Sequence, residues 1–410
     1  MPDAGKGETE IMSEMYLGVE ISENRLSVAV TENAEPVATL DEPLNPSSFD
    51  RFCKNAITMI SELAQEYSPR AISVTGVPNR ILYLDADGHP VSGLLPVPEN
   101  ADKHISRIYD ECGRMLSLEN GLLSYFADAD GCRVPSGAYT FATLSSYICA
   151  ALCERSRPVF HASEAFDVGF YSFEKKDFDN RAVVKCRLAG LRYPEVSVSP
   201  SVVGYLGNIP VTVALGRTQA RFLGSADRGG ALVELRKNEF ASYFASKTEK
   251  QPVGTVRLPF SEGYDLFVKR DFDSRAAYEA LLSFVARVSV SVGGTEDVAG
   301  TVGELALSAL NETSLPKLRF EQGRLKLSAD FEGFTPDRLC AAFIKEVARR
   351  LCFVSKTPTR LVLSGKSRFD CEAFRRSLAH AFGVEAACPD MAFAAAAGAA
   401  RFAAEAVEKI

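Results

Sequence analysis

Apolar and polar residues alternate through the first ordered stretch, Tyr16 to Leu44: Leu17, Val19 and Ile21, then Leu26, Val28 and Val30. A period of two is the signature of strands with one face buried. Ser22-Glu23-Asn24 and Glu35-Pro36 break the alternation with turn-forming residues, so the pattern predicts an antiparallel meander. At Asn45-Pro46 the period changes. Phe49, Phe52, Ile57, Ile60 and Leu63 recur at helical spacing, and a proline suits a helix start. Ala71 to Thr75 predicts a buried strand, and Tyr83 to Gly88 a strand followed by a turn. The order is β-β-β-α-β.

The far end has a clear rhythm too. Thr335-Pro336-Asp337 caps a helix expected to run to about Leu351. Arg360 to Leu363 predicts a short buried strand, with Ser364-Gly365-Lys366-Ser367 as the turn after it. A helix through Phe374 and Leu378 stops at Gly383, and a last helix holds Ala392-Phe-Ala-Ala-Ala-Ala-Gly398. Residues this small let a neighbouring strand or a ligand come close. Residues 236–315 are the least readable, and no internal repeat is evident.

Length adds a division. A chain of 410 residues exceeds what one core serves. The polar, glycine-rich run Gly224 to Gly230 is the expected boundary. The reading is a disordered tail over 1–15, one domain over 16–230 and another over 231–410. Hydrophobic residues at 46% and charged residues at 24% fit a folded globular protein. The net charge of −7, with no basic stripe, argues against a nucleic-acid partner. No apolar run reaches the roughly 20 residues of a membrane span. The polar start lacks the apolar core of a signal peptide, so the cytoplasm is the expected location. The ten cysteines form no CxxC pair; Cys149 and Cys153 lie four apart on a predicted helix, but no second pair completes a metal site. They are read as small buried hydrophobes, and no metal is expected.

Four segments carry a resemblance. They are Tyr16-Leu-Gly-Val-Glu-Ile-Ser-Glu-Asn-Arg25; Ile72-Ser-Val-Thr-Gly-Val-Pro-Asn-Arg80 with its strand and turn to Gly88; Gly204 to Ala220 with Phe222-Leu-Gly224; and Leu361 to Ser367 with Ala395 to Ala400. In shared order over most of the chain, they resemble the phosphate hairpin, sugar-reading segment, catalytic-aspartate strand and adenosine-binding half of the FGGY carbohydrate kinases, and of their sedoheptulokinase branch most of all. The resemblance implies an α/β protein of two actin-like (ribonuclease H-like) domains. Each would be a mixed sheet flanked by helices, with a cleft between them for ATP and sugar.

The departures fall on the chemistry. Ser22 stands at the glycine of the family's hairpin, and Glu23 and Asn24 stand where its threonines would be. A carboxylate about 4 Å from a phosphate oxygen costs roughly 4 kcal/mol at an effective dielectric near 20, unless Mg²⁺ bridges them. Glu20 keeps the sign of the family's metal-linked aspartate. Gly216 is present, but Arg217 occupies the position of the catalytic base. A guanidinium cannot take a proton, and losing a base typically costs about 10²- to 10⁴-fold in rate. Two roles stay open for Arg217: holding an anionic ligand, or pairing with a carboxylate such as Glu20. On the sugar side, Val77-Pro78-Asn79-Arg80 replaces Gln-Met-His-Gly, and Leu95-Pro-Val-Pro-Glu-Asn-Ala101 stands where a tryptophan motif belongs; the chain has no tryptophan. Arg236-Lys237-Asn238 lies near the position of the second phosphate turn. The nucleotide-side candidates are Ser364, Gly365, Lys366 and Gly398.

The leading expectation is a sugar-kinase homologue without catalysis, acting as a ligand sensor, regulator or interaction partner for a small sugar-like or anionic ligand. The alternative is an active kinase of a ketose or polyol using ATP and Mg²⁺, with Asp227 or Asp85 as a replacement base.

Overall fold

β1 (Met15–Ser22), β2 (Arg25–Glu32) and β3 (Glu35–Pro43) form the expected antiparallel meander. The computed structural model describes residues 14–44, 48–77, 80–247, 250–291, 293–294, 298–321, 324–328, 335–354, 356–365 and 369–408, the side chains of 320, 321 and 324–328 excepted. The expected tail falls almost wholly outside these residues, as does the Asn45-Pro46 helix start. The helix itself, α1, runs Phe49–Tyr67, where Ser48 Oγ accepts from the Arg51 N–H. Phe52, Cys53, Ala56, Ile60 and Ala64 form its buried face. β4 (Ile72–Gly76) follows and pairs in parallel with β1.

The chain divides into two compact units, 1–224 with 393–410, and 225–392. In the first unit the strand order is Val202–Leu206, Ile209–Thr212, β4, β1, β2, β3, with Leu215–Gly216 also paired to β4. β1 and β2 are buried on both faces, so they read as near-continuous apolar runs. Edge strand β3 keeps alternate residues exposed. A second core gathers around a small antiparallel pair, Ile81–Leu84 with Thr140–Thr143. Tyr83, Tyr125, Phe141, Phe160 and Phe178 are fully buried there, mostly edge to face.

The alanine-rich helix, Ala394–Val407, corrects the expected domain limits: it belongs to the first unit, not to a domain over 231–410. The reason is close packing. A Cβ on Gly18 of β1 would enter the backbone of Ala396 and Ala400. On another side, a Cβ on Gly398 would enter the Ala220 carbonyl and lie 2.8 Å from the Gly224 nitrogen. Backbone meets backbone along this helix.

The second unit repeats the topology of the first with no sequence echo. Ala231–Leu235 pairs antiparallel with Phe240–Ser246, which pairs with Asp265–Asp271; Leu361–Ser364 lies parallel to the first of these strands. The helices Phe272–Ser291, Ala299–Ala309, Pro336–Leu351 and Glu372–Phe382 contribute its core, centred on Phe343, Phe369 and Phe374. The 236–315 stretch that the sequence left unread supplies three strands and two of these helices. The Asp271 carboxylate, buried here, accepts a forked pair of bonds from Arg350 at 2.7 and 3.0 Å. The cysteines are free; four are buried, but Cys132 and Cys388 are exposed, which corrects the uniform core reading. Among the described residues no helix is long and apolar enough to cross a membrane.

Candidate functional site

Three parallel strands end side by side in the first unit. Ile21 of β1 lies opposite Gly76 of β4, and Gly76 lies opposite Gly216 on the other edge. The carboxyl ends of parallel strands are where open α/β sheets take ligands. Here the chain places the Ser22–Asn24 turn, the segment leaving β4 towards Arg80, and the first residue of the helix Arg217–Ala226.

Two ion pairs join these segments. Arg217 Nε donates to Glu20 Oε1 at 2.5 Å, and Arg80 Nη1 lies 2.8 Å from Glu23 Oε1. The Glu20 side chain is 13% exposed and that of Arg217 48%, so a nearly buried carboxylate is covered by a half-exposed guanidinium. Ser22 Oγ turns back onto the Arg25 carbonyl at 3.3 Å and lies 3.5 Å from Asn24 Oδ1, so the turn is closed on itself. Glu20, Ser22, Glu23, Asn24, Arg80 and Arg217 thus share one strand-end edge. Asn79 lies outside the described residues.

The Gly216 turn rests on a buried polar cluster that sequence reasoning missed. Thr75 Oγ1 donates to the Leu215 carbonyl at 2.7 Å, and the Gly216 N–H donates to Ser163 Oγ at 2.8 Å. Ser163 in turn meets His161 Nδ1 at 2.8 Å. Burial pushes the His161 imidazole down to about 3, so it is neutral. Glu164 Oε1 accepts from Thr143 and Ser145 at 2.7 and 2.6 Å, while Oε2 has no partner. Burial pushes this carboxyl up to about 7 against the lowering effect of those two hydroxyls. The available signal was the polar run His161 to Glu164 between apolar neighbours.

In the second unit the hairpin turn after Leu235 holds Arg236. Its Nε and Nη2 donate to Glu234 Oε2 at 2.9 and 2.6 Å, and its Nη1 donates to Glu239 Oε1 at 3.0 Å. The Tyr243 hydroxyl also meets Nη2. This turn occupies the topological place that Ser22–Asn24 holds in the first unit. Ser364 is buried at the end of the parallel strand beside Glu234, and Gly365 has φ +100° with no room for a Cβ against the Leu235 carbonyl. Lys366 lies outside the described residues. Gly398, expected on the nucleotide side, is filled by the Arg217–Ala226 helix, so its missing side chain serves helix packing and leaves no space for a base.

The proposed replacement bases are committed elsewhere. Asp85 Oδ1 accepts the N–H groups of Asp87 and His89 at 3.0 and 2.8 Å, and Asp227 Oδ1 accepts that of Gly229 at 2.8 Å. Both shape turns. Asp85, Asp87 and His89 also bring ligand-type atoms within 4.8 Å of one another, a grouping not anticipated from sequence.

In each unit taken by itself, the groups that would meet Mg²⁺ or phosphate are already engaged in ion pairs. Glu20 and Glu23 are already neutralised by arginines, and the cation of the second hairpin is saturated by its own carboxylates.

No family model and no curated protein matches the chain. Its fold, by contrast, is that of solved FGGY-family sugar kinases along almost the whole length. A xylulose kinase from Bifidobacterium adolescentis superposes with a TM-score of 0.70 at 14% identity, over 97% of this chain and 94% of that one. A gluconate kinase from Lactobacillus acidophilus gives 0.68 at 12%, over 97% and 90%. The glycerol kinase from Plasmodium falciparum, solved with ADP, also gives 0.68 at 12%, over 97% and 90%. Identities this low establish the fold and no more.

Proposed function

We propose that this chain is a sugar-kinase homologue that transfers no phosphate and serves as a ligand-binding or regulatory protein. The observation that carries the reading is the Arg217–Glu20 pair at the ends of the parallel strands. Transfer to a sugar hydroxyl needs a base that can take its proton and a cradle that welcomes phosphate. Arg217 supplies no base. Glu20, the carboxylate beside it, is already engaged by the guanidinium at 2.5 Å. Arg80 adds a second cation bound to the hairpin, and Arg236 is locked within its own turn. The occupied turns of Asp85 and Asp227 weaken the alternative of an active ketose or polyol kinase.

The test is ATP consumption across a panel of ketoses and polyols, for the wild type and Arg217→Asp. Neither should exceed the buffer rate, because residues that act as one catalytic unit do not recover one at a time. The variant should also be less stable by about 1–3 kcal/mol, since it sets two carboxylates face to face. Sugar-dependent turnover by the wild type would overturn the reading. Turnover by the variant alone would mean that one substitution silenced a working kinase.

A further inference from the structure

Away from the strand-end edge, the first unit carries a concavity of about 560 Å³ whose charge opposes that of the whole chain. The protein is −7 overall, yet this space is lined by Arg155, Arg157, Lys175, Lys176 and Arg192 against only two carboxylates, Asp177 and Glu195. Part of the excess is compensated: Arg155 donates to the Val203 carbonyl at 2.5 Å, and Lys175 lies 4.0 Å from Asp179. Arg157, Arg192 and Lys176 have no carboxylate within 4.0 Å among the described residues.

Two of these free cations are aimed at one atom. Arg192 Nη1 donates to the Tyr139 hydroxyl oxygen at 3.3 Å, and Arg157 Nη2 donates to it at 3.5 Å with its guanidinium over the ring. Like charges held this near repel unless something negative lies between them. The phenol oxygen accepts from both, so its own proton stays free to donate. The donation from Arg192, with the charge of Arg157, also lowers the Tyr139 pKa.

The frame is built rather than accidental. Arg192 N–H donates to the Tyr139 carbonyl at 2.9 Å, and the Thr140 side chain, through Oγ1, donates to the Arg192 carbonyl at 2.7 Å, so the backbones of the two segments are pinned together. Arg157 lies two residues before the strand Val159–His161, which pairs in parallel with Glu195–Ser197. Lys176 sits on a hairpin turn in the left-handed region, its N–H donating to the Ser172 carbonyl at 2.8 Å. Phe178 and Tyr193 pack edge to face beneath, 4.9 Å between centroids.

We propose that the Tyr139–Arg157–Arg192 concavity is a binding site for a small phosphorylated ligand carrying at least two anionic groups. Its volume lies in the range of small-molecule pockets, and forked guanidinium donors match phosphate oxygens. The negative whole-molecule charge disfavours an extended polyanion such as nucleic acid. The site shares no residue with the Arg217 edge, so it stands or falls independently of the function proposed above.

Inorganic pyrophosphate is the probe, titrated calorimetrically into the full chain at physiological salt, with sulfate and citrate as comparators. The expected result is saturable pyrophosphate binding with Kd below about 1 mM, at least tenfold tighter than for sulfate. Arg157→Ala/Arg192→Ala should weaken it at least tenfold and leave the unfolding midpoint unchanged or raised, because the unpaired repulsion is gone. Arg51→Ala/Lys54→Ala, exposed cations on α1, should change nothing. Should the double alanine variant not fold, Tyr139→Phe serves instead and should weaken binding at least threefold. Absent binding, citrate binding as tightly as pyrophosphate, or equal weakening by the α1 variant would each overturn the proposal. So would binding that survives the double substitution, since the phosphates would then sit at another site.

Discussion

Glu164 is a buried acid with one oxygen bonded and one bare, and that asymmetry makes its ionisation visible in stability. Its folded pKa of about 7 lies above the ordinary 4.5. A raised carboxyl pKa means the folded state holds its proton longer than the unfolded chain does. The associated stability is complete below about 4.5 and is lost as pH rises from there through about 7. Glu164→Gln keeps an acceptor for Thr143 and Ser145 without the charge. Between pH 5 and 8 the wild type should therefore lose on the order of 3 kcal/mol relative to the variant in denaturant titrations. Parallel pH profiles would show that Glu164 keeps its proton state in both forms. His161, neutral throughout that window, should cancel in the difference. At this scale the sequence exposes an arginine such as Arg217, because residue identity alone says that a guanidinium takes no proton. It does not expose Glu164 or His161. Their chemistry comes from burial, and burial depends on neighbours distant in the chain.

Among the elements, the meander and α1 were legible because each shows one buried periodicity and its own turn or cap. The last helix was legible as a helix but not in its allegiance. Small residues announce close packing without naming the partner, and here the partners are β1 and the Arg217–Ala226 helix. Two glycines make the contrast testable. Gly398→Ala forces a methyl group into the Ala220 backbone and should cost about 1–3 kcal/mol, despite alanine's better helix propensity. Gly300, in the helix Ala299–Ala309, has nothing within 4 Å of an added Cβ. Gly300→Ala should stabilise by about 0.5–1 kcal/mol. Chemical denaturation of both variants gives the answer, and equal effects would remove the packing explanation. Strands such as Asp265–Asp271 were unreadable for another reason: a buried charge like Asp271, neutralised by Arg350, disguises a core element as a polar loop.

At the scale of the whole molecule, the repeated topology of the two units leaves no trace in the residues, since a sheet order constrains pattern and length far more than identity. The two corresponding hairpin turns are occupied by ion pairs, the first with Arg80 and Arg217 from neighbouring segments and the second within itself. Mg-ATP should accordingly bind no better than about 1 mM, worth roughly −4 kcal/mol. Thermal shift across a nucleotide titration measures it, and a saturable midpoint in the micromolar range would contradict the closed-turn account. The last helix has a further consequence, in time rather than in space. It completes the first unit, yet during synthesis it leaves the ribosome only after the whole of 225–392 has emerged. At about 5–20 residues per second that delay is roughly 10–30 s. Throughout it, the Gly18 face of β1 waits without the helix that covers it in the folded unit, and the two units reach completion almost together, within about the time taken to make one helix.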